Sequence, residues 1–77
     1  MFLLFLANMD IVYSDHAKKR MRQRGIDEWE IEHLLKYPAY TKRGYEGKIE
    51  AVGEIRNRKV KIVFIREENY IKIITVI

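Results

Sequence analysis

The 77-residue sequence contains no cysteine, one proline, four glycines and one tryptophan. The missing thiols exclude a disulfide framework and any thiolate metal site. Only two histidines are present, and the carboxylates show no ligand spacing, so no metal is expected and packing has to hold the fold. No repeat and no low-complexity linker divides the chain. No hydrophobic run approaches bilayer length. MFLLFLA, residues 1–7, is far too short to span, lacks the basic start of a signal peptide and has no small-residue cleavage site. No membrane partner and a cytoplasmic location are therefore expected. Met9 follows almost at once, and MDIVYSDHAKKRM would be a natural beginning. Residues 1–9 thus read as an apolar arm or as a segment upstream of the true start, and 10–77 as one domain.

The supply of core residues is good, at 48% hydrophobic and 12% aromatic with 34% charged, which rules out disorder. A chain this short buries roughly 60–65% of its unfolded surface, so the core is small. The net charge of +4 suits an anionic partner such as nucleic acid. Eleven isoleucines, abundant Lys and Glu, and a single glutamine give a thermophile-like composition.

The spacing predicts a short strand over residues 10–13 (DIVY) and then two helices. Ser14 is an N-cap, and Asp15 suits the first-turn dipole of a helix running to Arg24. Gly25 stops that helix. Asp27 caps the second, with Glu30 three residues on in a capping-box arrangement, and Ile26 and Ile31 at the positions of a hydrophobic staple. Pro38 ends it near Tyr37.

After Pro38 the apolar period changes from helical to alternating. KIEAVGEIR (48–56), KVKIVFI (59–65) and YIKIITVI (70–77) read as strands. A two-residue turn at Asn57–Arg58 would pair Ile55 with Val60, Gly53 with Ile62 and Ala51 with Phe64, and would set Glu54 against Lys61. Ile71, Ile73 and Ile77 complete that face, which is expected to receive Ala17, Met21, Ile31, Leu34 and Leu35. Val52, Val63, Ile65, Ile74 and Val76 are expected on the other face. It reads either as ordinary β-branched strand composition or as a face covered by the arm, a second subunit or another protein.

Cations are concentrated in the first helix. Lys18, Lys19 and Arg22 point away from the apolar stripe and are expected in solvent. His16, Arg20 and Arg24 recur at intervals of four along the boundary between core and water. Three basic groups in line repel one another, so they need either carboxylates or an anionic ligand such as a phosphate. Lys42, Arg43, Tyr45 and Lys48 fill an expected loop, where cations interleaved with aromatics suit RNA backbone and bases, or simply an exposed loop. Trp29 and His33 fall on the outer face of the second helix. No phosphate-binding glycine loop, no nucleophile–histidine–carboxylate set and no metal-nuclease pattern is present.

The run Ser14-Asp15-His16-Ala17-x-x-Arg20-Met21-x-x-Arg24-Gly25-Ile26-Asp27 resembles the small domains with an H-A-x-x-R-M-x-x-R-G-I motif, grouped with the RelE/ParE-like toxin superfamily. The likeness extends through the proline after the second helix, the GKIEAVGEI strand and the closing IITV strand. It implies an α+β fold, β-α-α-β-β-β, with two helices on one face of an antiparallel sheet. It also implies a toxin of a toxin–antitoxin pair that acts on mRNA or the ribosome as a metal-independent ribonuclease without a cofactor. A protein antitoxin would be its partner. The motif residues put forward for catalysis are His16, Arg20 and Arg24, while Lys18, Lys19, Arg22, Lys42, Arg43, Tyr45 and Lys48 are expected to bind nucleic acid. The late polar positions that such nucleases use are here only Tyr70, Lys72 and Thr75, which leaves open a non-catalytic RNA- or protein-binding module. The outer sheet face is the expected route to a homo-oligomer.

Overall fold

A computed structural model describes residues 10–77. The expectations placed on MFLLFLA and on a start at Met9 lie outside the described residues. The elements are β1 (Asp10–Tyr13), α1 (Asp15–Arg24), α2 (Glu28–Lys36), β2 (Tyr40–Arg43), a 3-10 turn (Tyr45–Gly47), β3 (Lys48–Ile55), β4 (Arg58–Arg66) and β5 (Tyr70–Val76). The protein is α+β, with two helices packed on one face of a five-stranded mixed sheet of order β1-β5-β4-β3-β2. No described helix is long and apolar enough to cross a membrane.

Both helices begin and end as their residues dictate. The Ser14 hydroxyl accepts the Ala17 N–H at 3.0 Å and donates to the Ile74 carbonyl at 2.8 Å, so one side chain caps α1 and fixes it to β5. Gly25 adopts φ 65, which lets its N–H reach Arg22 O and the Ile26 N–H reach Met21 O at the end of α1. At α2 the Asp27 N–H donates to Glu30 Oε1 at 2.9 Å, the reciprocal half of a capping box, and Ile26 and Ile31 are both buried.

Four expectations for the sheet are corrected. An additional strand, β2, occupies Tyr40–Arg43, where a loop was expected. All four of its residues are exposed, so no apolar alternation marks it, and its backbone pairing with β3 alone makes it a strand. The sheet is mixed rather than antiparallel, because β1 joins β5 in parallel, with Ile11 opposite Ile71 and Tyr13 opposite Ile73.

The β3–β4 turn falls on Arg56 and Asn57, not Asn57 and Arg58. Their φ values of 52 and 67 make a two-residue turn closed by Ile55 opposite Arg58. Gly53 therefore faces Val60, Ala51 faces Ile62 and Ile49 faces Phe64, while Glu54 meets Lys59 instead of Lys61. A displacement of two residues preserves both faces, which is why the expected core side survives.

In β5 the ladder passes from Phe64–Ile73 to Val63–Thr75, leaving Ile74 without an opposite residue. This bulge reverses the alternation beyond it. Val76, expected on the outer face, is fully buried in the core, and Ile77, expected in the core, is 46% exposed. Val63 and Ile65 stay half-buried on the outer face. The remaining core is Ala17, Met21, Ile31, Leu34, Leu35, Ala51, Ile55, Val60, Ile62, Phe64, Ile71 and Ile73, joined by Ile26. At Gly53 a Cβ would stand 3.0 Å from Leu34 Cγ, so the missing side chain sets how closely α2 approaches β3.

Candidate nucleic-acid interface

The fold sorts the cations of α1 into two flanks. Ala17 and Met21 face the core, and the remaining positions follow at 100° per residue. Lys18 and Arg22 border the groove between the helices, where Asp27 and Glu28 also stand. Acidic neighbours weaken the claim of those two on a phosphate. Lys19 is exposed and has no ion pair among the described residues.

Arg20 and Arg24 lie on the other flank, both half-buried. Neither guanidinium has a carboxylate within ion-pair distance or a hydrogen bond among the described residues. The structural alternative, in which acidic side chains of α2 or the sheet neutralise them, is therefore not what the fold provides. Two acids at the start of α2 are held by a different arginine. Glu30 is 5% exposed and bonded to Arg56, and Asp27 lies 3.9 Å from the same arginine. His16 is exposed at the head of the stripe and makes no hydrogen bond among the described residues.

Arg58 adds a fourth cation. Its Nη2 donates to the Arg24 carbonyl at 3.3 Å, so a cation sits at the negative end of the α1 dipole beside the stripe. Sequence reasoning missed it because the turn had been placed on Arg58 itself. Only the correct hairpin register brings that side chain to α1.

The expected loop cations divide differently. Lys42 points to the outer face and lies 3.8 Å from Glu50, which also holds Lys61 at 3.6 Å. Lys48 lies 3.9 Å from the exposed carboxylate of Glu46. Arg43 has no ion pair among the described residues, and Tyr45 is 89% exposed. These residues stand at the far end of β3 from the α1 stripe, so the ten expected site residues do not form one cluster.

Two other features stand apart from these cations. The Tyr13 hydroxyl is buried without a hydrogen-bond partner among the described residues; burial raises its pKa far above the ordinary phenol value, and the nearby Glu28 and Glu32 add to the rise. Trp29 is 66% exposed and borders a shallow hollow of about 280 Å³ with His33, Glu54, Ile55 and Arg56.

Residues 13–77 match the family described as "Domain of unknown function (DUF4258)", which covers nearly the whole described chain. The protein belongs to that family. No curated protein and no solved structure matches it.

Proposed function

We propose that the protein is an RNA-binding domain of RelE-like type that acts on mRNA or on the ribosome, with the His16–Arg20–Arg24 flank of α1 against phosphates. The observation that carries this reading is the pair of half-buried arginines with no carboxylate partner among the described residues. Two guanidiniums one helical turn apart repel each other at low dielectric, and a phosphate between them removes that penalty while accepting two charge-assisted hydrogen bonds. Arg58 reinforces the positive field at the same end of the helix. The net charge of +4 supplies long-range attraction of the right sign.

Of the two RNA readings, binding without cleavage is the better supported. A metal-independent ribonuclease needs a base held toward the ribose hydroxyl, a cation for the phosphorane and an acid for the leaving oxygen. Arg20 and Arg24 could serve as the cation. His16 has no hydrogen-bond partner among the described residues to fix its ring or tautomer. A toxin that occupies the ribosomal message path without cutting it fits these features, and a protein antitoxin would then offer carboxylates to the same stripe.

The test is fluorescence anisotropy of a labelled single-stranded RNA with the full chain, alongside a cleavage assay on messenger RNA in chelator, with and without ribosomes. Salt-sensitive binding without cleavage is expected. Cleavage abolished by His16→Ala at unchanged affinity would instead establish the nuclease. Neither binding nor cleavage would leave a protein-interaction role.

A further inference from the structure

At the β2 edge of the sheet, β3 runs past its neighbour. The β2–β3 ladder ends at Tyr40 opposite Val52, and β3 continues through Gly53, Glu54 and Ile55. The Gly44 N–H bonds the Lys48 carbonyl at 2.8 Å, so every second residue of β3 counted from Lys48 turns its N–H and C=O toward β2. Glu54 is the last of that series, and β2 no longer stands beside it. The Ala39 N–H is spent on the Val52 carbonyl at 2.8 Å, and Pro38 has no N–H to give. Among the described residues, the Glu54 backbone therefore has no partner on that side and the Glu54 carboxylate has no ion pair.

This open backbone borders the hollow beside Trp29. Glu54, Ile55 and Arg56 form its sheet wall, and Trp29, Glu30 and His33 its helix wall. Arg56 and Glu30 neutralise each other through two hydrogen bonds. Trp29, His33 and Ile55 remain as its apolar surface, and the His33 ring rests against Tyr37 with 5.2 Å between centroids. The hollow suits a large apolar side chain, and the edge suits an extended backbone.

We propose that a partner protein docks here as an extended segment that adds a short strand beside Glu54, with a large apolar side chain in the Trp29 hollow and a lysine or arginine directly opposite Glu54. Strand addition takes affinity from main-chain hydrogen bonds and specificity from pockets for alternate side chains. Strand alternation fixes which residue does which. Glu54 shares the face of Glu50 and Val52, away from the helices, so the residue opposite it lies on that face too, and its neighbour in sequence turns toward the hollow. A cation opposite Glu54 makes a cross-strand ion pair. Lys59, across the ladder in β4, lies beyond ion-pair distance and does not supply one. A second copy joined by a two-fold axis centred here would set Glu54 against its own counterpart, and an RNA strand would bring phosphates to the same carboxylate. The inference is independent of the α1 stripe.

The test titrates the full chain with the capped pentapeptide Thr-Leu-Lys-Leu-Thr, followed by the emission of Trp29, the single tryptophan, and by the Glu54 amide in NMR. A saturable blue shift of the emission and a saturable shift of the amide are expected. Exchanging the lysine for glutamate, or both leucines for alanine, should weaken binding about tenfold. N-methylation at the lysine should do the same for an antiparallel strand, and at the leucine after it for a parallel one. Trp29→Ala, read by NMR, should weaken the peptide to a similar degree, and Glu54→Lys should reverse the preference in favour of the glutamate peptide. Both positions are exposed, so both variants keep the fold. The Arg20→Ala/Arg24→Ala pair should bind the peptide as wild type does. No saturable response at millimolar peptide overturns the site, as does equal affinity for both N-methylated peptides. A Glu54 amide that shifts with protein concentration alone assigns the edge to a second copy, and one that answers a short single-stranded RNA but not the peptide assigns it to nucleic acid. Either result overturns the proposal.

Discussion

Arg56 reaches from the β3–β4 turn to Glu30 on α2 and meets both carboxylate oxygens, Nε to Oε2 at 2.7 Å and Nη2 to Oε1 at 2.8 Å. The same carboxylate accepts the Asp27 N–H at 2.9 Å. One buried side chain therefore caps a helix and pins a hairpin turn. The pairing explains how a non-glycine residue keeps φ 52 in that turn, since the ion pair offsets the left-handed strain.

The Arg56 guanidinium and the Asp27 amide hold the Glu30 carboxyl below the ordinary glutamate range. A lowered folded pKa contributes stability that is complete above the unfolded value of about 4.3 and is lost as pH falls through the folded value. Arg56→Gly relieves the turn strain but strands a buried carboxylate, so at neutral pH the melting temperature should drop by several degrees. That deficit should shrink below about pH 4, as Glu30 protonates in the variant first. Thermal unfolding of both proteins across pH checks this, and a deficit independent of pH would assign the loss to packing.

Gly53 and Leu34 set the helix–sheet distance. A Cβ at Gly53 would stand 3.0 Å from Leu34 Cγ, so Gly53→Ala crowds that side chain and should cost about 1–3 kcal/mol. Leu34→Ala alone should also destabilise, by leaving a cavity. The double variant should be less destabilised than the sum, because the new methyl occupies part of that space. Denaturant unfolding of the four proteins gives the coupling, and strict additivity would show that the contact does not set the spacing.

Tyr13 carries a buried hydroxyl with no hydrogen-bond partner among the described residues. Tyr13→Phe should therefore leave stability unchanged or raise it by up to about 1 kcal/mol. The raised phenol pKa works in the alkaline direction. Its stabilisation is full below the unfolded value of about 10 and disappears as pH rises through the folded value, so wild type should lose stability above pH 10 more steeply than Tyr13→Phe. Identical alkaline profiles would show that the phenol is not buried in solution.

The helices were legible because their punctuation is chemical and local. Ser14, Gly25, Asp27 and Glu30 each specify a boundary through a bond made within a few residues, and Pro38 does so by restricting the backbone of Tyr37. The sheet was legible in its faces and not in its register. Period-two alternation is unchanged by a displacement of two, and the feature that selects Arg56–Asn57 is a contact to Glu30, 26 positions away in sequence. The bulge at Ile74 was hidden because five apolar or β-branched residues in a row, Ile73 to Ile77, carry no alternation to break. At the candidate interface, periodicity alone aligned His16, Arg20 and Arg24. Whether acids neutralise them, and that Arg58 stands near a cationic neighbour, depends on tertiary placement that no local pattern encodes.

The central claim is that Arg20 and Arg24 face RNA phosphates, and the salt dependence of RNA affinity tests it most directly. The slope of log affinity against log salt is to be measured by anisotropy for wild type and for the Arg20→Ala/Arg24→Ala variant, with thermal unfolding of both. Two lost phosphate contacts on a single strand should flatten the slope by about 1.4 and weaken binding by at least tenfold, with stability within about 0.5 kcal/mol of wild type. An unchanged slope and affinity, accompanied by a clear loss of stability, would contradict the account and assign both arginines to the fold.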